Sequence, residues 1–326
     1  MTNWKADFLS LFNGSALANA PLTDYTSYRI GGPAEMLALP ADARQLRAML
    51  AFAAKRGIPL TLLGAGTNVL VSDAGLEGLV CSLGGASGRA APWKPDPEPA
   101  AGSVGGLYAV SVTGARLRAG AGAPLDWLAR RAVAAGLGGL EKLSGIPGSA
   151  GGAAFMNAGA HGAETFDSLH SVSAVSTDGE TERVFLKKEL ICGYRRVSGL
   201  EGFVITGCEW ELVPGDAAAL SAVRARILAG RAARQPLELP SAGSVFKRPD
   251  GDFASRLIDQ AGLKGLRVGA AQVSDKHAGF IVNTGGATAT DVMELIRRVR
   301  AEVLEKHGIR LELEQIVLPG GPQQGA

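Results

Sequence analysis

Three short stretches of the chain set glycines beside small hydroxyl and amide side chains. They are Gly64-Ala65-Gly66-Thr67-Asn68, Ser144-Gly145-Ile146-Pro147-Gly148-Ser149-Ala150-Gly151-Gly152 and Asn157-Ala158-Gly159-Ala160-His161-Gly162. Glycine lets a backbone turn sharply and aim successive N–H groups at one point, which is how a loop receives an anion. The first stretch follows the apolar run LTLL and is no Rossmann fingerprint, since GxGxxG is absent and no helix is expected after it. It also lacks the Gly-Lys-Ser/Thr ending of a P-loop. Alone, an ordinary turn explains it equally well. The second and third flank the apolar segment AAFMNA, where tight helix packing would account for one glycine pair but not for both loops. A diphosphate laid among all three accounts for the whole set. No lysine or arginine lies within them, so its charge is expected to be met by backbone dipoles, as suits a cofactor held permanently.

The elements around these loops follow from periodicity. A helix is predicted from Asp42, with Leu46, Met49, Leu50 and Ala53 on one face and Gly57 as its stop. With strands LTLL and 78–83 it makes residues 20–83 a small β-α-β unit. The alternation from Val110 predicts a hairpin. A helix then starts with Pro124 in its first position, carries Leu125, Leu128, Ala129 and Ala132, and stops at Gly136. Residues 169–186 read as a hairpin around Asp178-Gly179, and VITGCEWEL as a strand. Asp216 caps a helix to Arg234 bearing Leu220, Val223 and Ile227. Helices at 252–261 and 290–307 follow, with strand AGFIVN between them and strand RLELEQIVL at the end. The class is α+β. The expected division is 1–83, 84–214 and 215–319. Residues 84–107, with four prolines in eight residues, are expected to be a mobile insertion, and the tail 320–326 to be disordered.

Composition narrows the rest. Glycine (45) and proline (16) are abundant in the 326 residues, yet no three-residue period occurs, and apolar residues make up 46%. A net charge of +2 argues against nucleic acid or an anionic membrane as partner. Three cysteines without a CxxC and four scattered histidines give no metal site. The first residues carry Lys5 and Asp7 where a signal peptide needs an apolar core, and no run approaches a membrane span, so a cytoplasmic protein is expected.

LGAGTNVLVSD followed by LSGIPGSAGGAAFMNAGAHG resembles the flavin-binding part of the UDP-N-acetylenolpyruvoylglucosamine reductases. The resemblance continues through GYRRV (193–197), PSAGSVFKRP (240–249), LIDQAGLKG (257–265), VSDKHAGFIVN (273–283) and LELEQIVL (311–318), in order from about Asn19 to Pro319. The compact last third looks like the shorter of the family's two forms. The resemblance implies a two-part FAD-binding domain of the vanillyl-alcohol-oxidase/PCMH type, then a C-terminal α+β substrate domain. It implies non-covalent FAD held by Leu63, Gly64, Ala65, Gly66, Thr67, Asn68 and Val69, by Gly145, Ile146, Pro147, Gly148, Ser149, Gly151 and Gly152, and by Asn157, Ala158 and Gly159. It implies NADPH as co-substrate and UDP-N-acetylglucosamine enolpyruvate as substrate, reduced to UDP-N-acetylmuramate for peptidoglycan by a protein expected to be a monomer.

The implied reaction delivers hydride from flavin N5 to C3 of the enolpyruvyl group and a proton to C2. It therefore needs an acid near C2 and positive groups on the enolate oxygens. By resemblance Ser244 is the proton donor, with Ser241 as a less fitting twin. Arg195, after Tyr194, holds the substrate carboxylate, although Arg196 stays open as a second candidate. Glu314 is the catalytic carboxylate. In an alternating strand it shares its face with Ile316 and Leu318, so it is expected to be partly buried. Lys247, Lys276 and Asn283 are candidates for the substrate's diphosphate or carboxylate. Without the resemblance, a turn serine, surface arginines and a solvated strand edge would be the plainer readings. His161 stands where the family commonly has a tyrosine, and it is the one residue in the glycine loops to which a flavin of a related oxidase type would be tethered covalently.

Overall fold

The computed structural model describes residues 4–84 and 106–319. The expected insertion at 84–107 and the expected disordered tail therefore lie almost entirely outside the described residues.

The first part opens with a helix the sequence reading missed, α1 (Trp4–Leu11), whose Phe8 is buried against Phe52 and Phe12. Its eight residues make barely two turns, too short a window for the helical period to stand out. Strands β1 (Ala16–Pro21) and β2 (Pro33–Ala38) then precede helix α2 (Ala43–Arg56) and strands β3 (Leu60–Leu63), β4 (Val69–Val71) and β5 (Leu76–Ser82). The sheet order is β1-β2-β5-β3, with β1 antiparallel to β2 and the other pairs parallel. Asp42 caps α2 through the Gln45 N–H, and the expected stripe of Leu46, Met49, Leu50 and Ala53 is buried. Burying each of the larger side chains contributes about 1.5–3 kcal/mol, which fixes α2 against the sheet.

The second part is built on an antiparallel sheet, β12-β11-β15-β7-β6, made of β6 (Val110–Thr113), β7 (Arg116–Gly120), β11 (Leu169–Ser176), β12 (Glu182–Leu186) and β15 (Phe203–Glu211). Helix α3 (Leu125–Ala134) buries all four expected stripe residues, but Pro124 is its N-cap and not its first helical residue. Between α3 and β11 run β8 (Leu137–Gly138), α4 (Ala150–Met156), β9 (Gly159–Ala160), β10 (Ala163–Glu164) and α5 (Thr165–Ser168). The hairpin β13 (Ile191–Gly193) and β14 (Arg196–Ser198) projects before β15, and β16 (Val213–Pro214) pairs with β8. Helix α6 (Ala217–Arg234), expected to open the third part, packs instead on α3 and on the turn at 141–143, and it buries Ile227 and Arg231. The third core draws on no residue of α6.

That third core consists of α7 (Ala254–Gln260), β17 (Arg267–Val268), β18 (Ala271–Val273), β19 (Ile281–Asn283) and α8 (Ala289–His307). Val292, Leu295, Ile296, Val299 and Val303 of α8 are buried, and Thr288 and Asp291 form a capping box. Tyr28, Ile30 and Leu70 of the first part belong to the same core. Of the expected strand 310–318 only β20 (Ile316–Leu318) is regular. It lies parallel to β4, so the end of the chain returns to the first part. Residues 312–314 run beside 245–247 instead, through Lys247 N–H to Glu312 O and Glu314 N–H to Val245 O.

Candidate active site

The first two glycine loops face each other. Thr67 Oγ1 donates to the Pro147 carbonyl at 3.2 Å. Gly66 has φ +64°, and a Cβ there would run into the carbonyl oxygen of Tyr25, so only glycine fits. A Cβ on Gly64 would meet Ser149 Oγ at 2.8 Å. Ser149 is buried and caps α4 by accepting from the Gly152 N–H. Gly151 and Gly152 thus lie in the first turn of a helix where a loop was expected. A Cβ on Gly151 would stand 2.8 Å from Ala121 Cβ, so this glycine serves close packing.

The loops enclose a cavity of about 360 Å³. It is lined by every residue from Leu63 to Val69, by Ile146 to Ser149, by Gly152, and by Ala158 and Gly159. Gly145, Gly151 and Asn157 stand behind this lining. Asn157 is fully buried, donates to Glu164 and to the Gly193 carbonyl, and accepts from the Phe166 N–H.

Arg195, Ser244 and Glu314 reach the same cavity from three distant segments. Arg195 sits at the turn of the β13–β14 hairpin with φ +56°, which swings its side chain inward. Its Nε donates to Glu314 Oε1 at 2.7 Å and its Nη2 to the Gly159 carbonyl at 3.1 Å. Arg196 is exposed and absent from the lining, whereas Arg195 lines the cavity. Glu314 is held through its backbone: its N–H donates to Val245 O, and its carbonyl accepts from Asn68 Nδ2 at 3.0 Å. The carboxylate is thereby tied both to the serine segment and to the first glycine loop. Ser244 is half-buried and pairs as a β-bridge with Phe280. The turn before it is splinted by buried Gln315, whose Nε2 donates to Ala242 O at 3.0 Å and whose Oε1 accepts from Tyr28 OH at 3.3 Å. Ser241 does not line the cavity.

The other candidates lie elsewhere. Asn283 is buried and fully engaged: Nδ2 donates to Tyr28 O, and Oδ1 accepts from Gly285 and Ala287 N–H. Lys276 Nζ donates to Ala232 O and pairs with Glu238. Lys247 pairs with Glu312, and Tyr194 OH accepts from the Arg248 N–H, outside the lining. His161 is exposed beside it, and no histidine or cysteine among the described residues lines the cavity.

Two polar side chains of the lining escaped the sequence reading. Arg231 and Gln235, one turn apart at the end of α6, are joined by the Gln235 N–H to Arg231 O bond. Arg231 is only 8% exposed, and its Nε–H and Gln235 Oε1 are buried without hydrogen-bond partners. The cavity wall therefore holds two arginines, Arg195 and Arg231, neither from the glycine loops, so backbone dipoles are not its only source of positive potential. The position of Arg231 on the buried Ile227 face was the available signal.

Glycines that admit no Cβ, donors from two facing loops and unpartnered buried polar atoms fit FAD. Comparison with known proteins agrees. Residues 101–184 match the family model described as FAD binding domain, and residues 235–318 match UDP-N-acetylenolpyruvoylglucosamine reductase, C-terminal domain. The chain is 41% identical over 308 residues to UDP-N-acetylenolpyruvoylglucosamine reductase of Levilactobacillus brevis, covering 94% of each chain. It is 43% identical over 296 residues to UDP-N-acetylenolpyruvoylglucosamine reductase 2 of Symbiobacterium thermophilum, covering 90% of this chain and 89% of that one. The crystal structure of the reductase from Thermus caldophilus superposes with a TM-score of 0.75 at 36% identity, over 93% of this chain and 98% of that one. The architecture is a two-part FAD-binding domain of the vanillyl-alcohol-oxidase type with an α+β domain after it, and the protein is a flavin-dependent oxidoreductase. By sequence along almost its whole length, and by fold, the chain belongs to the UDP-N-acetylenolpyruvoylglucosamine reductase family.

Proposed function

We propose that the protein reduces UDP-N-acetylglucosamine enolpyruvate to UDP-N-acetylmuramate with NADPH, through non-covalently bound FAD. The observation that carries this is the meeting of Arg195, Ser244 and Glu314 on the cavity bounded by the glycine loops. FAD, when bound, supplies the hydride that reaches C3 of the enolpyruvyl group. Arg195 holds the substrate carboxylate, where negative charge grows as C2 becomes carbanionic, and a charge that grows in the transition state is where a fixed cation accelerates. Glu314 keeps the guanidinium turned inward through its 2.7 Å bond. Ser244 gives its hydroxyl proton to C2. A hydroxyl is a weak acid, but the carbanion it meets is strongly basic.

Tyr194 and Lys247 stand close to this site in the chain, beside Arg195 and Ser244, and are the side chains proposed to meet the nucleotide part of the substrate. Lys276 and Asn283 act there only if their present hydrogen bonds are broken. A monomer in the cytoplasm is the proposed working form. No helix of the described residues is long and apolar enough to cross a membrane.

The test is direct. Purified protein should show a flavin spectrum, and trichloroacetic acid should release the flavin into the supernatant. NADPH oxidation should rise on addition of UDP-N-acetylglucosamine enolpyruvate. Flavin retained in the pellet, or oxidation indifferent to that substrate, would reject the reading.

A further inference from the structure

Of the four arginines on α6, only Arg231 is buried. Asp126 of α3 is buried and receives Arg224 of α6 in a two-pronged pair, Nη1 to Oδ1 at 2.6 Å and Nη2 to Oδ2 at 2.8 Å. It also accepts the Gly145 N–H at 2.6 Å. Arg224 thus neutralises Asp126, and Arg231, two turns further along α6, keeps its charge for the cavity. Burial pulls the Arg231 guanidinium down to about 10, partly opposed by Asp126, so it remains a cation at neutral pH.

The chemistry of the two unpartnered atoms then selects a ligand group. Arg231 Nε–H is a donor and needs an acceptor. Gln235 Oε1 is an acceptor and needs a donor. A diphosphate offers acceptors alone and would leave Gln235 Oε1 unsatisfied. The pyrimidine edge of an isoalloxazine offers both kinds side by side, with N1 and O2 as acceptors and N3–H as donor. A buried donor or acceptor left unpaired costs about 1–3 kcal/mol, so a ligand that satisfies both is favoured over one that satisfies half.

We propose that Arg231 and Gln235 receive the pyrimidine edge of the flavin, Arg231 at N1–C2=O2 and Gln235 at N3–H. The inference rests on the FAD reading above. Negative charge collects at N1–C2=O2 when a flavin is reduced, so a buried cation there binds reduced flavin more tightly than oxidised and makes the bound cofactor easier to reduce. Arg231 is in this sense a tuning residue that acts before any substrate is present.

The test uses full-length protein stripped of flavin and reconstituted. Arg231→Gln should lower the ratio of reduced-flavin to oxidised-flavin affinity by tenfold or more. For a two-electron couple that makes the potential about 30 mV more negative per tenfold. Arg231→Lys, which keeps the charge, should recover most of the shift. Wild-type protein should bind N3-methyl-FAD at least tenfold more weakly than FAD, and Gln235→Leu should bind the two alike. Far-UV circular dichroism and melting temperature monitor folding. If Arg231→Gln does not fold, Arg231→Lys and the N3-methyl comparison still decide.

An Arg231→Gln protein that loses oxidised and reduced flavin equally, with ADP affinity falling in step, would assign Arg231 to the diphosphate and overturn the proposal. Equal binding of FAD and N3-methyl-FAD by wild type would overturn the Gln235 half. Wild-type protein that binds no FAD at all would instead remove the functional reading on which the proposal stands.

Discussion

Arg195 and Glu314, 119 residues apart in the chain, form one ion pair at the cavity wall, with Nε to Oε1 at 2.7 Å and side chains 18% and 13% exposed. Each end is fixed independently. The left-handed backbone at Arg195 aims the guanidinium, and the Asn68 and Val245 bonds hold the Glu314 main chain. The pair occupies Nε and the Gly159 carbonyl takes Nη2, so Nη1 remains for a second carboxylate.

Arg195→Gln should therefore remove a charge-assisted bond to the substrate carboxylate, worth about 1.5–3 kcal/mol, or roughly 10–150-fold in kcat/KM. Glu314→Gln keeps an acceptor for Nε but loses the charge that orients the fork, so a smaller loss is expected. Stopped-flow measurement of each half-reaction checks this. Flavin reduction by NADPH should change by less than about threefold, since reading the enolate requires the second half-reaction alone. Losses of equal size in both halves would show that the pair merely holds the cavity together.

Ser244→Ala should leave NADPH-driven flavin reduction nearly intact and stop oxidation of the reduced enzyme by the enolpyruvyl substrate. Positioned proton transfer contributes roughly 10²–10⁴-fold, and the rate of flavin reoxidation should fall by that order. Ser241→Ala, outside the cavity lining, is the control and should leave both halves unchanged. A fast Ser244→Ala reoxidation would mean that water or another group delivers the proton.

The glycine loops were legible because their spacing carries chemistry independent of the surrounding packing, whereas Arg195, Ser244 and Glu314 stood out only through the family resemblance. Arg231 was not legible, because its meaning comes from α6 lying on α3 and the 141–143 turn instead of on the third core. A helix face tells which side is buried, not against what. The same limit explains the glycines: Gly66 and Gly151 look alike in sequence, yet one faces Tyr25 O beside the cavity and the other abuts Ala121. Asn283 stood as a candidate contact for the substrate's diphosphate or carboxylate. The structure gives both of its ends to the backbone. RLELEQIVL alternates like a strand, but only three of its residues pair regularly, since its first half must leave β20 to follow 245–247.

Gly66→Ala separates the cradle from ordinary turn strain. An alanine in the left-handed region costs about 1–2 kcal/mol by itself. At Gly66 the added Cβ also strikes the Tyr25 carbonyl, so backbone must move. At Gly162, φ +73°, nothing lies within 4 Å of the added atom. Gly162→Ala should cost only the strain, and Gly66→Ala clearly more, in urea melts of flavin-free protein. FAD affinity should fall in Gly66→Ala and hold in Gly162→Ala. Equal losses of stability would mean that the Tyr25 contact relaxes freely.

Asp126 gives a pH prediction whose sign can be worked out. Burial alone would raise its pKa. The Arg224 hydrogen bonds, the Gly145 N–H and the charges of Arg224 and Arg231 outweigh burial and hold it below the ordinary aspartate value. A depressed native pKa adds stability that is complete above the unfolded value, about pH 4, and is lost as pH falls through the native value. Wild-type protein should lose urea resistance progressively below about pH 4, and Asp126→Asn should lack that part of the acid limb. At pH 7, Asp126→Asn leaves Arg224, partly buried, without its counter-charge, so a loss of up to about 3 kcal/mol is expected. FAD affinity should drop with it, because Gly145 and α6 are held by the same carboxylate. Melts at stepped pH check this: a gap between wild type and variant that stayed constant from neutrality to the acid end would show that Asp126 does not titrate there.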